Sequence, residues 1–345
     1  MSNDNNKTAS APRHFASLLF LPVLFVTFYA LRALSDRFAI EQWLPEWDTF
    51  VTLGAMMVVE RLYTYRRAVS QRAMLVRDIA STLVNVFLTY AVTAMILLPG
   101  LLLLTEYAFG RPLMMASPEQ LGPIWLQVPV IWVVVSFFRY WMHRWQHSNE
   151  FLWKLHSYHH RVTDLKATNT FVSHPLDYAL RNVVVYVVLG LVGFAPLALL
   201  IAVPALAIPG IFSHCGAELK AGALSRWFVT PEVHRWHHSA VVPEGHRYSV
   251  NYSVELSFWD RLFGTFYLPV KDGQTEQPEH VGHPDGTADE PNYIKLVLAP
   301  LGLWPSARWL DASRDGSARA RRALQPPEPA RHCPEYAGNG GNAER

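Results

Sequence analysis

Long apolar runs without charge set the strongest limit on what this chain can fold into. Ile79 to Leu104 contains no Asp, Glu, Lys or Arg, and Leu121 to Met142 is interrupted only by Arg139 near its end. A helix needs about 20 predominantly apolar residues to cross a hydrocarbon core, and Phe15 to Leu34 supplies a third run of that length. A cleaved leader fits this run poorly, because Leu-Arg-Ala-Leu follows Ala30 where small residues would be wanted. A shorter run, Phe50 to Val59, is fronted by Trp43 and Trp47, which suit an interfacial belt. These four are expected to cross. Val183 to Ile211 is also apolar but is broken by Gly190, Gly193, Pro196, Pro204 and Pro209, with only 36 residues between Asp177 and His214. Two full spans want about 40 residues, so a hairpin of short tilted helices or a re-entrant pair is expected over 179–211. Composition agrees: half the residues are apolar and 17% are charged, against about 25% in soluble domains.

Orientation follows from Lys and Arg in the short loops. Arg61, Arg66, Arg67, Arg72 and Arg77 follow the second run, whereas Asp36, Glu41, Glu46 and Asp48 follow the first. The former loop is therefore expected in the cytoplasm, with the N-terminus, the stretch from His143 to Arg181 and the C-terminus on the same side. Residues 1–14 and 312–345 read as disordered termini. Residues 15–142 read as transmembrane helices, 143–270 as the chemically active region and 271–311 as a peripheral segment. The expected architecture is all-α: about four transmembrane helices plus the hairpin, capped by a cytosolic helical histidine-rich domain.

The net charge of +2 is too small for a nucleic-acid surface, and Cys215 and Cys333 are too far apart and too few for a disulfide framework or a CxxC site. Histidine is the anomaly: eleven of fifteen fall between His143 and His246. Three spacings stand out, His143-x3-His147, His156-x2-His159-His160 and His234-x2-His237-His238. On a helix, positions i, i+3 and i+4 share one face, so each cluster can aim its imidazoles at one point. Eight histidines exceed the three or four ligands of a single zinc site and would serve two metals. Imidazole alone does not choose between Zn, Cu, Fe and Ni. Arg144 stands where a zinc-protease helix needs Glu, which excludes that hydrolytic route. Two non-catalytic readings remain, a metal transporter or sensor and a structural zinc site; the first would place histidines inside the spans.

The ordered set Tyr140-Trp141-x-His143-Arg144-x2-His147, Leu152-Trp153-x2-His156-x2-His159-His160, His174-Pro175-Leu176, Pro231-x2-His234-Arg235-x-His237-His238-Ser239 and Trp259-Asp260-x-Leu262-Phe263-Gly264-Thr265-Phe266 resembles the fatty acid hydroxylase and sterol desaturase superfamily. The resemblance runs from about Trp132 to Pro269. It implies two Fe ions, for which Zn can substitute in isolated protein, with O2 as co-substrate. It assigns His143, His147, His156, His159, His160, His234, His237 and His238 as ligands, with His214 as a ninth. His174 and Asn251 would stand beside the ligands, off the metals. The implied reaction is hydroxylation of a lipid C–H bond in a fatty acyl, aminolipid or sterol-like substrate, with desaturation as the alternative. Lacking a flavin motif, a ferredoxin cysteine set or a cytochrome domain, the chain would need a separate electron donor: a ferredoxin, a cytochrome b5-like protein or a reductase. His283-Pro284-Asp285-Gly286 alone does not supply a haem domain. Arg144, Lys154 and Arg161 form an expected basic docking face.

Two departures from the family pattern bear on geometry. Ser136 stands where relatives carry Asp seven residues before the first ligand, and Asn251-Tyr252-Ser253 replaces Asn-x-Gly, leaving the expected turn without its glycine. Glu218, four residues after His214, reads as an exposed charge and His246 as a loop residue.

Overall fold

A computed structural model describes residues 22–34, 47–63, 72–92, 95, 98–109, 120–285 and 289–304. The expectations for 1–14 and 312–345 lie outside them, as do His14 and His332. The described residues are mostly helical, with almost no sheet. The helices are α1 Pro22–Leu34, α2 Trp47–Leu62, α3 Arg72–Val92, α4 Leu98–Phe109, α5 Ile124–Ser148, α6 Glu150–His156, α7 Pro175–Val192, α8 Pro196–Ala205, α9 Ala207–His214, α10 Pro231–His237, α11 Phe258–Leu262 and α12 Tyr293–Leu298. The only strands among these residues are β1 Val270–Lys271 and β2 Gln274–Thr275, an antiparallel hairpin with Val270 opposite Thr275.

Three helical stretches among the described residues are long and apolar enough to cross a membrane: Ile124–Ser148, Pro175–Val192 and Pro196–His214. Leu121–Met142 becomes α5. Of the run Ile79–Leu104, α3 reaches Val92, Met95 is in a π-helical turn and α4 begins at Leu98, while 93, 94, 96 and 97 lie outside the described residues. The hairpin over 179–211 is longer than expected, because α7 starts at Pro175 and α9 continues to His214. At 18 and 19 residues, its arms reach about 27 Å and about 28 Å at 1.5 Å per residue, close to the hydrocarbon thickness of about 30 Å.

Local chemistry sets these boundaries. His174 caps α7 by accepting from Leu176 N at 3.2 Å, and Pro175 takes the first helical position, where its missing N–H costs nothing. Gly193, at φ 84°, ends the helix in the left-handed conformation that a side chain would resist. Pro196 restarts the chain, and Ala198, Ala202 and Ala205 line a buried seam of α8. Small residues at this spacing allow close helix approach, and Ile131, Val135, Val185, Leu189 and Leu206 fill the core between α5, α7 and α8. A second core joins Leu24 and Phe28 of α1, Met56 of α2 and Ile208, Ile211 and Phe212 of α9.

The described part of the segment 271–311 bonds back to the histidine-bearing helices and to α3. Gly282 N donates to His238 O at 3.0 Å, Trp236 Nε1 to Glu276 O at 2.9 Å, and Thr275 Oγ1 to Glu232 Oε2 at 2.7 Å. Buried Arg77 of α3 pairs with Asp78 and Asp289, and Asp78 accepts from Thr168 and Asn169. Arg77→Met would strand two carboxylates with little access to water. We expect it to cost about 3 kcal/mol or more, read as a lowered melting temperature and faster proteolysis near residue 289.

Candidate metal centre

α5 presents Gln127, Ile131, Val135, Tyr140, His143, Gln146 and His147 on its buried side. Its last turns therefore carry His143 and His147 inward, while Trp141 and Trp145 point out. Asn149 closes α5 and caps α6, its Oδ1 accepting from Phe151 N and Leu152 N. α6 stops at His156, and His159 and His160 follow on a single 3-10 turn instead of continuing the helix. His214 ends α9, His234 and His237 lie on α10, and His238 is its C-terminal cap.

All nine histidines expected as ligands are buried, and they form two groups. His143, His147, His156, His160 and His237 make one, and His159, His214, His234 and His238 the other; within each, one nitrogen per ring lies within 4.8 Å of all the others. The partition follows the spacing. In each x2 box the residues at i and i+4 go to one group and the residue at i+3 goes to the other, so the second and third boxes are interleaved.

Nitrogen–nitrogen distances test whether an ion fits. His143 and His156 approach Nε2 to Nε2 at 3.1 Å, His159 and His214 at 3.1 Å, His214 and His234 at 3.2 Å, and His234 and His238 at 3.1 Å. Two nitrogens each about 2.1 Å from one ion stand about 3.0 Å apart at a right angle. Nε2 of His147, His160 and His237 is buried with no hydrogen-bond partner among the described residues, an arrangement that is costly unless something else takes the lone pair. Nine neutral imidazoles suit Fe, Zn, Cu and Ni alike.

The outer nitrogens of five rings are tethered. His143 Nδ1 bonds to Tyr252 O at 2.6 Å, His159 to Val172 O at 2.9 Å, His214 to Gly210 O at 2.8 Å and His237 to Val250 O at 2.8 Å. A carbonyl only accepts, so each Nδ1 is the protonated nitrogen and Nε2 carries the lone pair. His156 Nδ1 donates instead to Asp177 Oδ2 at 3.2 Å. Burial, reinforced by the charge neighbouring rings would carry, holds His159, His160, His234 and His238 well below the usual histidine range. Burial also lowers His237 to about 3, against the opposing Val250 carbonyl. The rings are thus neutral at pH 7, the form that ligates.

Other expected residues are placed differently. His174 touches no ligand: it caps α7, and its Nε2 bonds to Val297 O at 2.9 Å. The group it sets in place is Asp177, which sequence reasoning passed over although it follows His174-Pro175-Leu176. Asp177 accepts from His156, Gln146 and Ser173. Asn251 adopts φ 55°, so the turn expected of a glycine at 253 occurs two residues earlier. Its amide spans Val233 O and Tyr267 O, and its neighbours Val250 and Tyr252 supply the carbonyls that hold His237 and His143. Asp260 secures this loop by accepting from Tyr252 N, Ser253 N and Thr265 Oγ1. Ser136, in place of an acid, accepts from Trp259 Nε1 at 2.9 Å. Arg161 is 5% exposed and leaves the basic face to Arg144 and Lys154. His283 lies buried on Trp153, paired with Asp285, not in a polar tail. Glu218 and His246 remain outside both groups.

Residues 128–265 match the fatty acid hydroxylase family. The chain is 36% identical over 160 residues to an ornithine lipid hydroxylase of Rhizobium tropici, covering 46% of this chain and 47% of that protein. It is 31% identical to the alkylglycerol monooxygenase of Homo sapiens over 38% of this chain and 28% of that protein. It is 29% identical to a sphinganine C4-monooxygenase of Arabidopsis thaliana over 40% and 52%. The chain thus spans about half the length of the first of these relatives, and no solved structure matches it. The match to the fatty acid hydroxylase family covers the histidine-bearing core of this chain, and all three relatives are named as hydroxylases or monooxygenases.

Two substitutions probe the tethers. Asp177→Asn should keep the fold and weaken metal binding by the five-histidine group about 10–100-fold, read by competition with a chelator. Asn251→Ala should destabilise by about 1–3 kcal/mol through backbone strain and lost amide bonds, and Asn251→Gly by less, because only the strain is relieved; chemical denaturation separates them.

Proposed function

We propose that this protein is a membrane-bound di-iron oxygenase that uses O2 and two electrons to hydroxylate a lipid C–H bond. The observation carrying the reading is the pair of buried all-histidine groups at one end of apolar helices, in a region that matches a lipid-hydroxylase family. The overall change is R–H + O2 + 2e⁻ + 2H⁺ → R–OH + H2O, with the electrons supplied by a separate ferredoxin, cytochrome b5-like or reductase partner on the cytoplasmic side.

His143, His147, His156, His160 and His237 would hold one iron and His159, His214, His234 and His238 the other. Bound there, the pair supplies O2-dependent oxidation of an unactivated C–H bond, chemistry that no side chain of the chain provides. The protein's own part is positional. Four carbonyls and Asp177 fix the tautomer and orientation of five of the nine rings, and the burial of the imidazoles excludes bulk water from a reactive centre. α5, α7 and the α8–α9 arm carry apolar surface from the bilayer to the histidines, so a lipid need not leave the membrane to reach them. The relatives' names include ornithine lipid, alkylglycerol and sphinganine as substrates, which favours a polar lipid and hydroxylation over desaturation.

Protein from iron-supplemented cells should contain about two Fe per chain, and after reduction should consume O2 and add one oxygen to a host lipid, seen by mass spectrometry of extracts with and without the gene. His160→Ala should remove both metal and activity while leaving the protein in the membrane. Intact, zinc-filled protein whose iron-loaded form leaves every lipid unchanged would sink the proposal.

A further inference from the structure

Arg139 is the single charged residue in the run Leu121 to Met142, and a charge within a spanning helix marks a functional site more often than a structural one. It lies four residues before His143 and eight before His147, so the three share a face of α5. Arg139 is therefore about 6 Å, one turn, from a candidate ligand on the side of the helix's apolar body. Its guanidinium pairs with Glu255 and reaches Leu206 O at 3.4 Å, both through Nη1. Leu206 sits at the α8–α9 junction, about two turns before His214. Glu255 follows by three residues the Tyr252 carbonyl that holds His143. Three separate stretches thus bring this pair to the membrane-facing side of the histidines.

The pair is only half closed. Glu255 is buried, and its Oε2 has no hydrogen-bond partner among the described residues. Arg139 is 20% exposed at its side chain and, among the described residues, bonds through one of its three nitrogens, although a guanidinium carries five N–H donors. An ion pair serving packing alone would be expected to satisfy both carboxylate oxygens, since each buried acceptor left open is costly. What remains is a planar donor edge beside a buried acceptor.

We propose that Arg139 and Glu255 bind a zwitterionic lipid headgroup, one offering an anion to the guanidinium and an ammonium or amide N–H to Glu255 Oε2. The carboxylate of an amino-acid lipid and the phosphate of a phosphoethanolamine lipid share this chemistry; an uncharged glycerol ether or a sterol lacks it. This rests on the lipid-oxidising reading and deepens it. A headgroup held one turn from the ligands brings the headgroup itself, or the first carbons beyond it, to the metals and keeps the far end of the acyl chain away.

Binding is measured on full-length protein in nanodiscs, metal-free so that turnover plays no part, with N-acylornithine, phosphatidylethanolamine and 1-O-alkylglycerol as probes. One of the two zwitterionic probes should bind about tenfold or more tightly than the glycerol ether, as expected for a charge-assisted pair, and which one identifies the anion. Arg139→Gln should erase that preference. Glu255→Gln, which retains an oxygen for Arg139 and so protects the fold, should reduce it to less than about threefold while histidine-bound metal content stays at the wild-type level. Equal binding of all three probes by the wild-type protein, or an undiminished preference in Glu255→Gln, overturns the assignment. Lipid oxidation that continues without any such preference would sink the headgroup site alone, whereas binding without oxidation would sink the oxygenase reading alone.

Discussion

Nine imidazoles share a dry interior in this protein, and the rest of the fold serves the terms on which they can do so. A buried ring must have its outer N–H accepted and its inner lone pair engaged, or desolvation works against folding. For five of the nine rings the chain meets the first demand with backbone carbonyls from four places, Gly210, Val172, Val250 and Tyr252, and with the carboxylate of Asp177, whereas Nδ1 of His234 and His238 is buried without a partner among the described residues. Those carbonyls are available because the segments bearing them are irregular there: a loop before α7, a left-handed residue at Asn251, the last turn of α9. The second demand is what a metal answers. Burial therefore acts twice, lowering the affinity of the rings for protons and leaving their Nε2 lone pairs with ions as the natural partner.

Much of the site was legible in the sequence because ligand spacing is a local property. An i, i+4 pair shares a face whatever the fold around it, and His143 with His147 needed only a helix. The apolar runs announced α5 and the hairpin for the same reason. Legibility failed where partners are distant in the chain. His174 invited a place beside the metal, yet it works as a helix cap, and the carboxylate that reaches a ligand is Asp177, whose partners Gln146 and His156 lie more than 20 residues away. Arg161 looked like surface charge because basic residues usually are; it is enclosed between the second histidine box and the acidic stretch after His283. The C-terminal segment, rich in Pro, Gly and acids, read as peripheral, although one of those acids, Asp289, pairs with buried Arg77.

Charge in the apolar body follows a consistent logic. Arg32 with Asp48, Arg77 with Asp78 and Asp289, and Arg139 with Glu255 are each held against a carboxylate, as low-dielectric surroundings demand. Two of these pairs join segments that sequence separates by more than 100 residues. They fix how the helices meet at the end where the histidines lie, so the electrostatics of the bundle and the geometry of the metal centre are one problem.

The interleaving of the boxes has a consequence for how the centre fills. Because the turn at 156–160 and α10 each send histidines to both groups, neither group can tighten without drawing the same two segments into place for its neighbour. The first ion to bind therefore meets most of the ordering cost of the second site. If the two groups hold iron as proposed, a short supply should divide the population between molecules holding two ions and molecules holding none, with few holding one.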